Sequence, residues 1–208
     1  MFYRLMQLLT RPINLFFRVK ITYEGPVPME GPLVVCGKHI SQLEPILLFS
    51  NFPRKMKTLA KIELFKNPIK SWVLMALGAI PINRGKNDIS AIKKALKTLK
   101  HGEVLGIFPE GQRLKNNDLD DVKNGAMGMA IRTGATVLPF GVYTQDYTLR
   151  PFRRVELRFG KAVPVATFGA TPGRHQEYSR VTEWLAGELR RLSDKDYVFE
   201  GDVSCPTR

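Results

Sequence analysis

A histidine and a nearby carboxylate are the residues of this sequence best suited to acid–base chemistry. His39 follows the apolar run Leu33–Cys36, so it is expected just past the end of a strand, and Glu44 comes five positions later. Five residues span about 500° on a regular helix, so the two side chains can meet only across a turn. Pro45 favours such a turn, because the residue before a proline prefers extended geometry. A carboxylate beside an imidazole makes a general base that can take a proton from a hydroxyl, although a purely structural histidine fits the same spacing.

Glu44 is predicted to be the N-cap of a helix whose first residue is Pro45. Glutamate is a poor cap in comparison with Asp, Ser or Asn. A role in orienting His39 therefore explains this residue better than capping does. Cys36, three positions before His39, suggests a metal site as an alternative. No second Cys/His pair completes a zinc set, so no metal is predicted.

Three further clusters of residues follow or form predicted strands. The turn Phe108-Pro109-Glu110-Gly111-Gln112-Arg113 places a carboxylate close to a guanidinium, and Ile80-Pro81-Ile82-Asn83-Arg84-Gly85 again places an arginine after a strand. Arginine suits phosphate because its planar fork donates two hydrogen bonds at once. The alternative for such a turn is a solvated surface ion pair of little energetic value. The last cluster, Val137-Leu138-Pro139-Phe140-Gly141-Val142, indicates by itself only a core strand.

Taken in chain order, these four blocks resemble the glycerophospholipid acyltransferase family, closest to its 1-acyl-sn-glycerol-3-phosphate acyltransferases. The resemblance extends from about Ile21 to Lys161 and implies that His39 is the general base, with Glu44 in the acidic position of the family's His-x4-Asp motif. It implies acceptor-binding roles, mostly toward phosphate, for the following residues: Lys61, Arg84, Glu110, Gly111 and Arg113. The chain departs from the family pattern twice, with Glu44 in place of aspartate and Gln112 in place of threonine or serine.

The resemblance also implies a reaction. An acyl group would pass directly from acyl-CoA or acyl carrier protein, both of which fit as donor, to the sn-2 hydroxyl of 1-acyl-sn-glycerol-3-phosphate, giving phosphatidic acid for phospholipid biosynthesis. It implies no metal or redox cofactor. Two alternatives remain open: an acyltransferase for another acceptor, such as glycerol-3-phosphate or another lysolipid, and a non-catalytic basic module that binds membrane or nucleic acid. Because no nucleic-acid-binding motif is found, nucleic acid is not the expected partner.

The net charge indicates the kind of partner, and the hydrophobic periodicity indicates the fold class. Lys and Arg number 32 against 19 Asp and Glu, a net charge of +13, which favours an anionic partner such as a membrane surface. Strand and helix patterns alternate, which predicts one α/β domain over residues 21–194 with a mainly parallel or mixed sheet flanked by helices. Residues 195–208 are predicted to be a loose C-terminal tail.

Helix ends carry their own signals. A helix is predicted between the cap Asn67 and the stop Gly78, and another begins at the cap Asp88. A third is predicted over 122–133, with Gly134 as its stop.

Residues 1–20 are predicted to form an amphipathic helical segment at the membrane interface. Arg4, Arg11 and Arg18 are seven positions apart, which would place them on one helix face. Pro12 would kink or split such a helix, and packing against the core is the alternative. No run reaches the ~18–20 apolar residues that span a bilayer, so peripheral or monotopic attachment to the cytoplasmic face of the membrane is expected. The residues expected to insert are Phe2, Tyr3, Leu5, Phe16 and Phe17.

Overall fold

The structure, a computed structural model, describes residues 2–41, 43–83, 88–109, 124–146, 148–172 and 175–199. Within these ranges strands and helices alternate around a central sheet, and the predicted α/β class is confirmed. The helices are α1 (Phe2–Thr10), α2 (Ile13–Phe16), α3 (Glu44–Asn51), α4 (Pro68–Ala76), α5 (Ile89–Lys100), α6 (Gly125–Thr133) and α7 (His175–Ser193). The strands are β1 (Val19–Tyr23), β2 (Leu33–Gly37), β3 (Met56–Lys61), β4 (Ala79–Ile82), β5 (Val104–Ile107), β6 (Thr136–Tyr143), β7 (Val155–Phe159) and β8 (Val163–Pro164).

The sheet is mixed, with the order β1-β7-β6-β2-β5-β3-β4, and β8 pairs with β6. Strands β2 to β6 run parallel to one another, whereas β7 runs antiparallel to β6 and β1 runs parallel to β7. The ends of β2 to β6 and the starts of β1 and β7 therefore share one edge, called here the carboxyl edge. Sites in α/β sheets form at such an edge, where several loops converge.

Both faces of the sheet are covered. Helices α5, α6 and α7 pack on one face through residues such as Leu99, Met127 and Leu185, and α3 packs on the other through Leu47. Strand β2 lies in the middle, and its residues 33–36 are fully buried. Burial on both faces explains why this strand is a continuous apolar run rather than an alternating one.

The predicted helix ends are confirmed where the structure describes them. The side chain of Asn67 accepts a hydrogen bond from the Lys70 amide at 3.0 Å, and that of Asp88 accepts one from the Ala91 amide at 3.0 Å. Gly78 has φ of 81° and Gly134 has φ of 60°, left-handed values that favour glycine after a helix.

The N-terminal segment is helical but divided. Helix α1 ends at Thr10 and α2 starts at Ile13, because Pro12 lacks the N–H needed to continue the helix. Arg18 lies after α2 with φ of 42°. The prediction that three arginines share one helix face is therefore wrong. The predicted domain boundary after residue 20 falls inside β1.

Part of this segment belongs to the core. The Tyr3 ring packs edge-on against Phe49 with centroids 4.7 Å apart, and its hydroxyl accepts a hydrogen bond from the Met56 amide at 2.9 Å. Phe17 is only 6% exposed. Membrane insertion of Tyr3 and Phe17 was expected, but both side chains are occupied by packing.

No helix in the described ranges is long and apolar enough to cross a membrane.

The beginning of the C-terminal tail is docked rather than loose. The Tyr197 hydroxyl donates a hydrogen bond to Glu24 at 2.9 Å, and Arg191 forms two hydrogen bonds of 2.6 Å with the same carboxylate. The Arg158 guanidinium lies 4.4 Å from the Tyr143 ring and 4.5 Å from the Tyr197 ring. These contacts hold Tyr197 against β6 and β7, so the prediction of a loose tail is wrong at that residue.

Candidate active site

His39 and Glu44 meet at the carboxyl edge beyond β2. Nδ1 of His39 lies 2.8 Å from Oε2 of Glu44, so the turn between them brings the two side chains together. The His39 side chain is 13% exposed and that of Glu44 is fully buried. The imidazole can therefore be reached from solvent while its carboxylate partner cannot.

The second oxygen of Glu44 is also bound. Oε1 accepts hydrogen bonds from the backbone amides of Ile40 at 2.7 Å and Ser41 at 2.9 Å. Helix α3 begins with Glu44 itself, one residue earlier than predicted, and its cap is Leu43, which makes no side-chain cap hydrogen bond. Glu44 thus does not cap α3. Its carboxylate fixes the turn that carries His39.

These hydrogen bonds determine which nitrogen of His39 can act as a base. An ionised carboxylate only accepts, so Nδ1 must donate the hydrogen in the contact with Glu44. Nε2 is then the unprotonated nitrogen of the neutral imidazole, the one whose lone pair can accept a proton. Burial raises the pKa of the Glu44 carboxyl above its ordinary value, and the hydrogen bonds from His39, Ile40 and Ser41 oppose this in part.

Two aromatic residues from the neighbouring strands pack beside the imidazole. Phe108 directly follows β5, and its ring centroid lies 4.5 Å from that of His39. Phe140 of β6 supports Phe108 with centroids 5.9 Å apart. A Cβ at Gly37 would lie 2.0 Å from the Phe140 ring, so only glycine allows this ring to lie across the end of β2. Sequence reasoning assigned the strand correctly but missed this requirement for glycine, which depends on a neighbour distant in the chain.

The remaining predicted site residues lie partly outside the described ranges. Lys61 ends β3 at the carboxyl edge, two strands from β2, with a side chain 52% exposed and 3.2 Å from Glu63. The other predicted acceptor-binding residues lie outside the described part of the chain: Arg84, Glu110, Gly111 and Arg113. Gln112, which stands in place of the family's threonine or serine, also lies outside the described part.

The residues on either side of the segment that contains Arg84 are joined by a hydrogen bond that was not predicted from the sequence. Oδ2 of Asp88 accepts a hydrogen bond from the Asn83 amide at 3.0 Å, while Oδ1 caps α5. One carboxylate thus connects the end of β4 to the start of α5. Its role as a cap was predicted from its type and position, whereas the link to Asn83 needs the folded loop.

The possibility of metal binding at Cys36 finds no structural counterpart in the ranges described. Cys36 is fully buried in β2 and forms no disulfide within the described residues. Among the described residues no group of three or more His, Cys, Asp or Glu side chains could hold a metal ion.

The chain is similar in sequence to known proteins. A family model described as Acyltransferase matches residues 18–143, which include His39, Glu44 and Phe108. The 1-acyl-sn-glycerol-3-phosphate acyltransferase of Borreliella burgdorferi is 31% identical over 131 residues, which are 62% of this chain and 52% of that protein. The enzyme of the same name from Bacillus subtilis is 27% identical over 180 residues, 85% of this chain and 89% of that protein. The chain spans about half the length of the first curated relatives it matches.

A solved structure has a similar fold. It is the crystal structure of the 1-acyl-sn-glycerophosphate acyltransferase PlsC from Thermotoga maritima, with a TM-score of 0.69. The match covers 93% of this chain and 81% of that chain at 23% identity. This likeness concerns the fold, and it includes the mixed sheet and the helices that flank it.

Proposed function

Since the chain belongs to the Acyltransferase family, we propose that it transfers an acyl group from a thioester to the sn-2 hydroxyl of 1-acyl-sn-glycerol-3-phosphate. The product is phosphatidic acid, a precursor in phospholipid biosynthesis. The observation that carries the proposal is the contact of 2.8 Å between His39 and Glu44 at the carboxyl edge, inside the region matched by the family. The names of the relatives support the acceptor, because each is called a 1-acyl-sn-glycerol-3-phosphate acyltransferase.

The proposed reaction begins with proton transfer to His39. Nε2 takes the proton of the acceptor hydroxyl as that oxygen attacks the thioester carbonyl, and Glu44 stabilises the imidazolium that forms. The tetrahedral intermediate then collapses, an oxygen ester forms, and the carbon–sulfur bond breaks. The departing thiolate takes the proton back from Nε2, so His39 ends the cycle neutral. No acyl-enzyme is required.

Binding of the acceptor phosphate is proposed for the cationic residues on the β3 and β4 side of His39. Lys61 supports this role because it ends β3 at the same edge as His39, with an ammonium group that is half exposed. Arg84 and Arg113, with Glu110 and Gly111, are proposed to complete the acceptor site. Holding the hydroxyl beside the base supplies much of the rate enhancement through proximity.

Attachment to the cytoplasmic surface of a membrane is proposed for the N-terminal segment. Four of its leucines are more than half exposed: Leu5 51%, Leu8 59%, Leu9 64% and Leu15 82%. Phe16 is 54% exposed although its ring also contacts Phe152. Apolar side chains beside basic ones suit the interface of an anionic bilayer. Both the acceptor and the product are lipids, so the site must be reachable from that interface.

The test is a transfer assay with a radiolabelled acyl thioester and a panel of acceptors that includes lysophosphatidate, glycerol-3-phosphate and a lysolipid without phosphate. We expect transfer to lysophosphatidate, with loss of turnover in His39→Ala. His101→Ala is the matched control, because His101 lies at the end of α5 rather than at the carboxyl edge. Preference for another acceptor would overturn the acceptor assignment. Near-normal kcat in His39→Ala would overturn the mechanism, and no transfer to any acceptor would favour a non-catalytic binding module.

A further inference from the structure

A basic cleft lies at the carboxyl edge, on the opposite side of β2 from Lys61. It has a volume of about 850 Å³ and is lined by the segment before β1, the end of β6 and the loop before β7. We call it the arginine cleft and define it by these lining residues: Arg18, Tyr143, Thr144, Phe152, Arg153 and Arg154. A volume of this order is typical of sites for small molecules and cofactors.

The cleft contains cationic groups that the protein itself does not neutralise. The same cleft is also lined by Gln145, Asp146, Thr148 and Glu156. The two acidic residues are already paired, Asp146 with Arg150 at 3.1 Å and Glu156 with Arg154 at 2.8 Å. In the part of the chain that the structure describes, Arg18 and Arg153 form no ion pair. Two exposed guanidinium groups facing one cleft favour an anion, and their planar forks suit phosphate in particular.

Two residues in the walls of the cleft have strained backbone conformations. Arg18 and Phe152 both have left-handed φ values, 42° and 64°, which are unfavourable for residues other than glycine. The Phe152 amide donates a hydrogen bond to the Phe16 carbonyl, and the two rings lie 5.0 Å apart, so this contact joins the two strained segments. Strain of this kind persists where the surrounding structure enforces it, often at ligand sites.

A polar group in the wall also lacks a partner. The hydroxyl of Thr144 is buried and makes no hydrogen bond within the described residues. A buried hydroxyl left unsatisfied costs free energy, so such groups call for an explanation.

The position of the cleft relates it to the proposed reaction. Gly37 of β2 is in register with Phe140 of β6, and Tyr143 lies three residues further along β6. At about 3.3 Å per residue, the cleft begins roughly 10 Å beyond that pair along the strand. His39 follows the end of β2 by two residues and lies at the same edge. The base therefore lies between Lys61 on one side and the arginine cleft on the other.

Two basic sites flanking one base suit a reaction between two phosphate-bearing substrates. The acceptor carries one phosphate, for which Lys61 and its neighbours are proposed. The acyl donor carries the other phosphate. In both acyl-CoA and acyl carrier protein, the thioester is joined to a phosphate through a long pantetheine chain. That chain can extend from a carbonyl beside His39 to a phosphate some distance away.

We propose that the arginine cleft binds the phosphate end of the phosphopantetheine thioester donor, with Arg18 and Arg153 as its principal contacts. This inference rests on the proposed function and extends it by assigning a site to the donor. Acceptor and donor then approach His39 from opposite sides. A ternary complex can form without either phosphate displacing the other.

The variants that test the proposal are Arg18→Ala and Arg153→Ala, with Arg180→Ala as the matched control. Arg180 is an exposed residue of α7, and its loss changes the net charge equally. Each enzyme is assayed with palmitoyl-CoA, with palmitoyl-acyl carrier protein and with palmitoyl-pantetheine, which lacks phosphate. Binding of coenzyme A alone is measured by calorimetry, and unchanged Tm values show that the variants are folded.

We expect both cleft variants to raise KM for a phosphorylated donor by about 10- to 100-fold, the range for a lost charge-assisted hydrogen bond. KM for lysophosphatidate and the kcat/KM for palmitoyl-pantetheine should remain at the wild-type value. The phosphorylated donor whose KM rises more, coenzyme A or carrier protein, is the one that uses the cleft. The Arg180→Ala control should behave as wild type with every donor.

Three results would overturn the proposal. They are an unchanged KM for both phosphorylated donors, an equal loss with palmitoyl-pantetheine, and a rise only in KM for lysophosphatidate. Unchanged donor kinetics with weaker binding to anionic vesicles would assign the cleft to lipid head groups instead. If the wild type transfers nothing to lysophosphatidate but binds coenzyme A through Arg153, the proposed function fails while the assignment of the cleft stands.

Discussion

Glu44 holds His39 by one oxygen and the backbone of the His39 turn by the other. Oε2 lies 2.8 Å from Nδ1 of His39, while Oε1 accepts both the Ile40 and the Ser41 amides. The two oxygens therefore have different partners and cannot exchange roles without loss. This division determines what substitution of Glu44 will do.

Glu44→Gln should abolish most activity by reversing the tautomer of His39. The amide oxygen must remain on the two backbone amides, so the NH2 group faces Nδ1 and donates to it. The imidazole hydrogen then moves to Nε2, which can no longer accept a proton. We expect kcat to fall roughly 10³- to 10⁴-fold, the scale for the corresponding change in a serine-protease triad.

Glu44→Asp is the informative partner of this variant, because aspartate is usual in families with the His-x4-Asp motif. Its carboxylate is shorter by one methylene, so it cannot reach Nδ1 and both backbone amides without movement of the turn. We expect a smaller loss than for glutamine, about 10- to 100-fold in kcat, since the correct tautomer is kept. Steady-state kinetics measures both, and full activity of the glutamine variant would make the carboxylate purely structural.

The raised pKa of Glu44 predicts a pH dependence. Burial raises the pKa of this carboxyl above its ordinary value of 4.5. As the pH falls through the raised value, the carboxylate gains a proton and no longer stabilises the imidazolium. The fall of kcat/KM on the acidic side should therefore include a contribution from protonation of Glu44, which a pH profile of kcat/KM measures.

The same shift affects stability with the opposite sign. A carboxyl whose pKa is raised by folding favours the folded state below its ordinary pKa, and this contribution is lost as pH rises through the folded-state value. Relative to wild type, Glu44→Gln should therefore gain in free energy of unfolding as the pH rises. Urea titrations at several pH values measure this, and a difference independent of pH would contradict it.

Glu24 and Arg191 should contribute strongly to stability. Burial by itself would raise the pKa of the Glu24 carboxyl, but hydrogen bonds from Arg191 and Tyr197 outweigh it and lower the pKa. Glu24→Gln leaves Arg191, which is 35% exposed, paired with Glu188 alone, and it should cost about 1–3 kcal/mol in the free energy of unfolding, the scale for a lost hydrogen bond to a charged group. A lowered folded-state pKa stabilises the fold above the ordinary value of 4.5, and the contribution disappears as pH falls through the folded-state pKa.

The control for this prediction is Glu103→Gln. It removes a salt bridge with Lys57 in which both side chains are about one-third exposed. Such an exposed pair is worth about 0–1 kcal/mol. Equal losses in the two variants would mean that the pair of Glu24 and Arg191 contributes no more than a surface contact.

Gly37→Ala should damage both the fold and the site. The added methyl group would lie 2.0 Å from the Phe140 ring, in a buried region where the ring has little room to move. Overpacking of this kind costs about 1–3 kcal/mol, and displacement of the end of β2 should lower kcat as well. The double variant Gly37→Ala/Phe140→Leu should recover part of the lost Tm. If it recovers none, the clash is not the cause.

Membrane attachment is best tested by single substitutions. Deletion of Met1 to Lys20 is expected to reduce binding to vesicles, but it also removes the packing of Tyr3 and the start of β1. Leu8→Ser and Leu15→Ser change only side chains that are 59% and 82% exposed. Both should weaken co-sedimentation with anionic liposomes, while Val198→Ser, at 74% exposure on another part of the surface, should not. Equal binding by all three would place the membrane surface elsewhere.

The local features of this fold could be predicted from sequence, whereas the non-local ones could not. Asn67, Asp88 and Gly134 mark helix ends through contacts with residues close in the chain, so their types were sufficient. The strand order and the reversed direction of β7 depend on partners far apart in sequence. The proximity of Arg18 and Arg153, which creates the arginine cleft, follows only from that order.

The candidate site shows the same division. The partnership of His39 with Glu44 was predictable, because a short turn governs it. Phe108 against His39 and Phe140 against Gly37 were not, since each contact joins neighbouring strands. The prediction that the N-terminal arginines share one helix face was wrong because it assumed a single helix through Pro12, whereas α1 ends at Thr10.

The reversed direction of β1 has a consequence for how the enzyme would work on a membrane. Because β1 starts at the carboxyl edge, helix α2, with the exposed Leu15 and Phe16, reaches the same edge as His39. A lipid acceptor could then enter and leave the site by lateral diffusion, without being lifted into water. We expect processive turnover: with a limited amount of enzyme, some vesicles should be converted completely while others remain untouched.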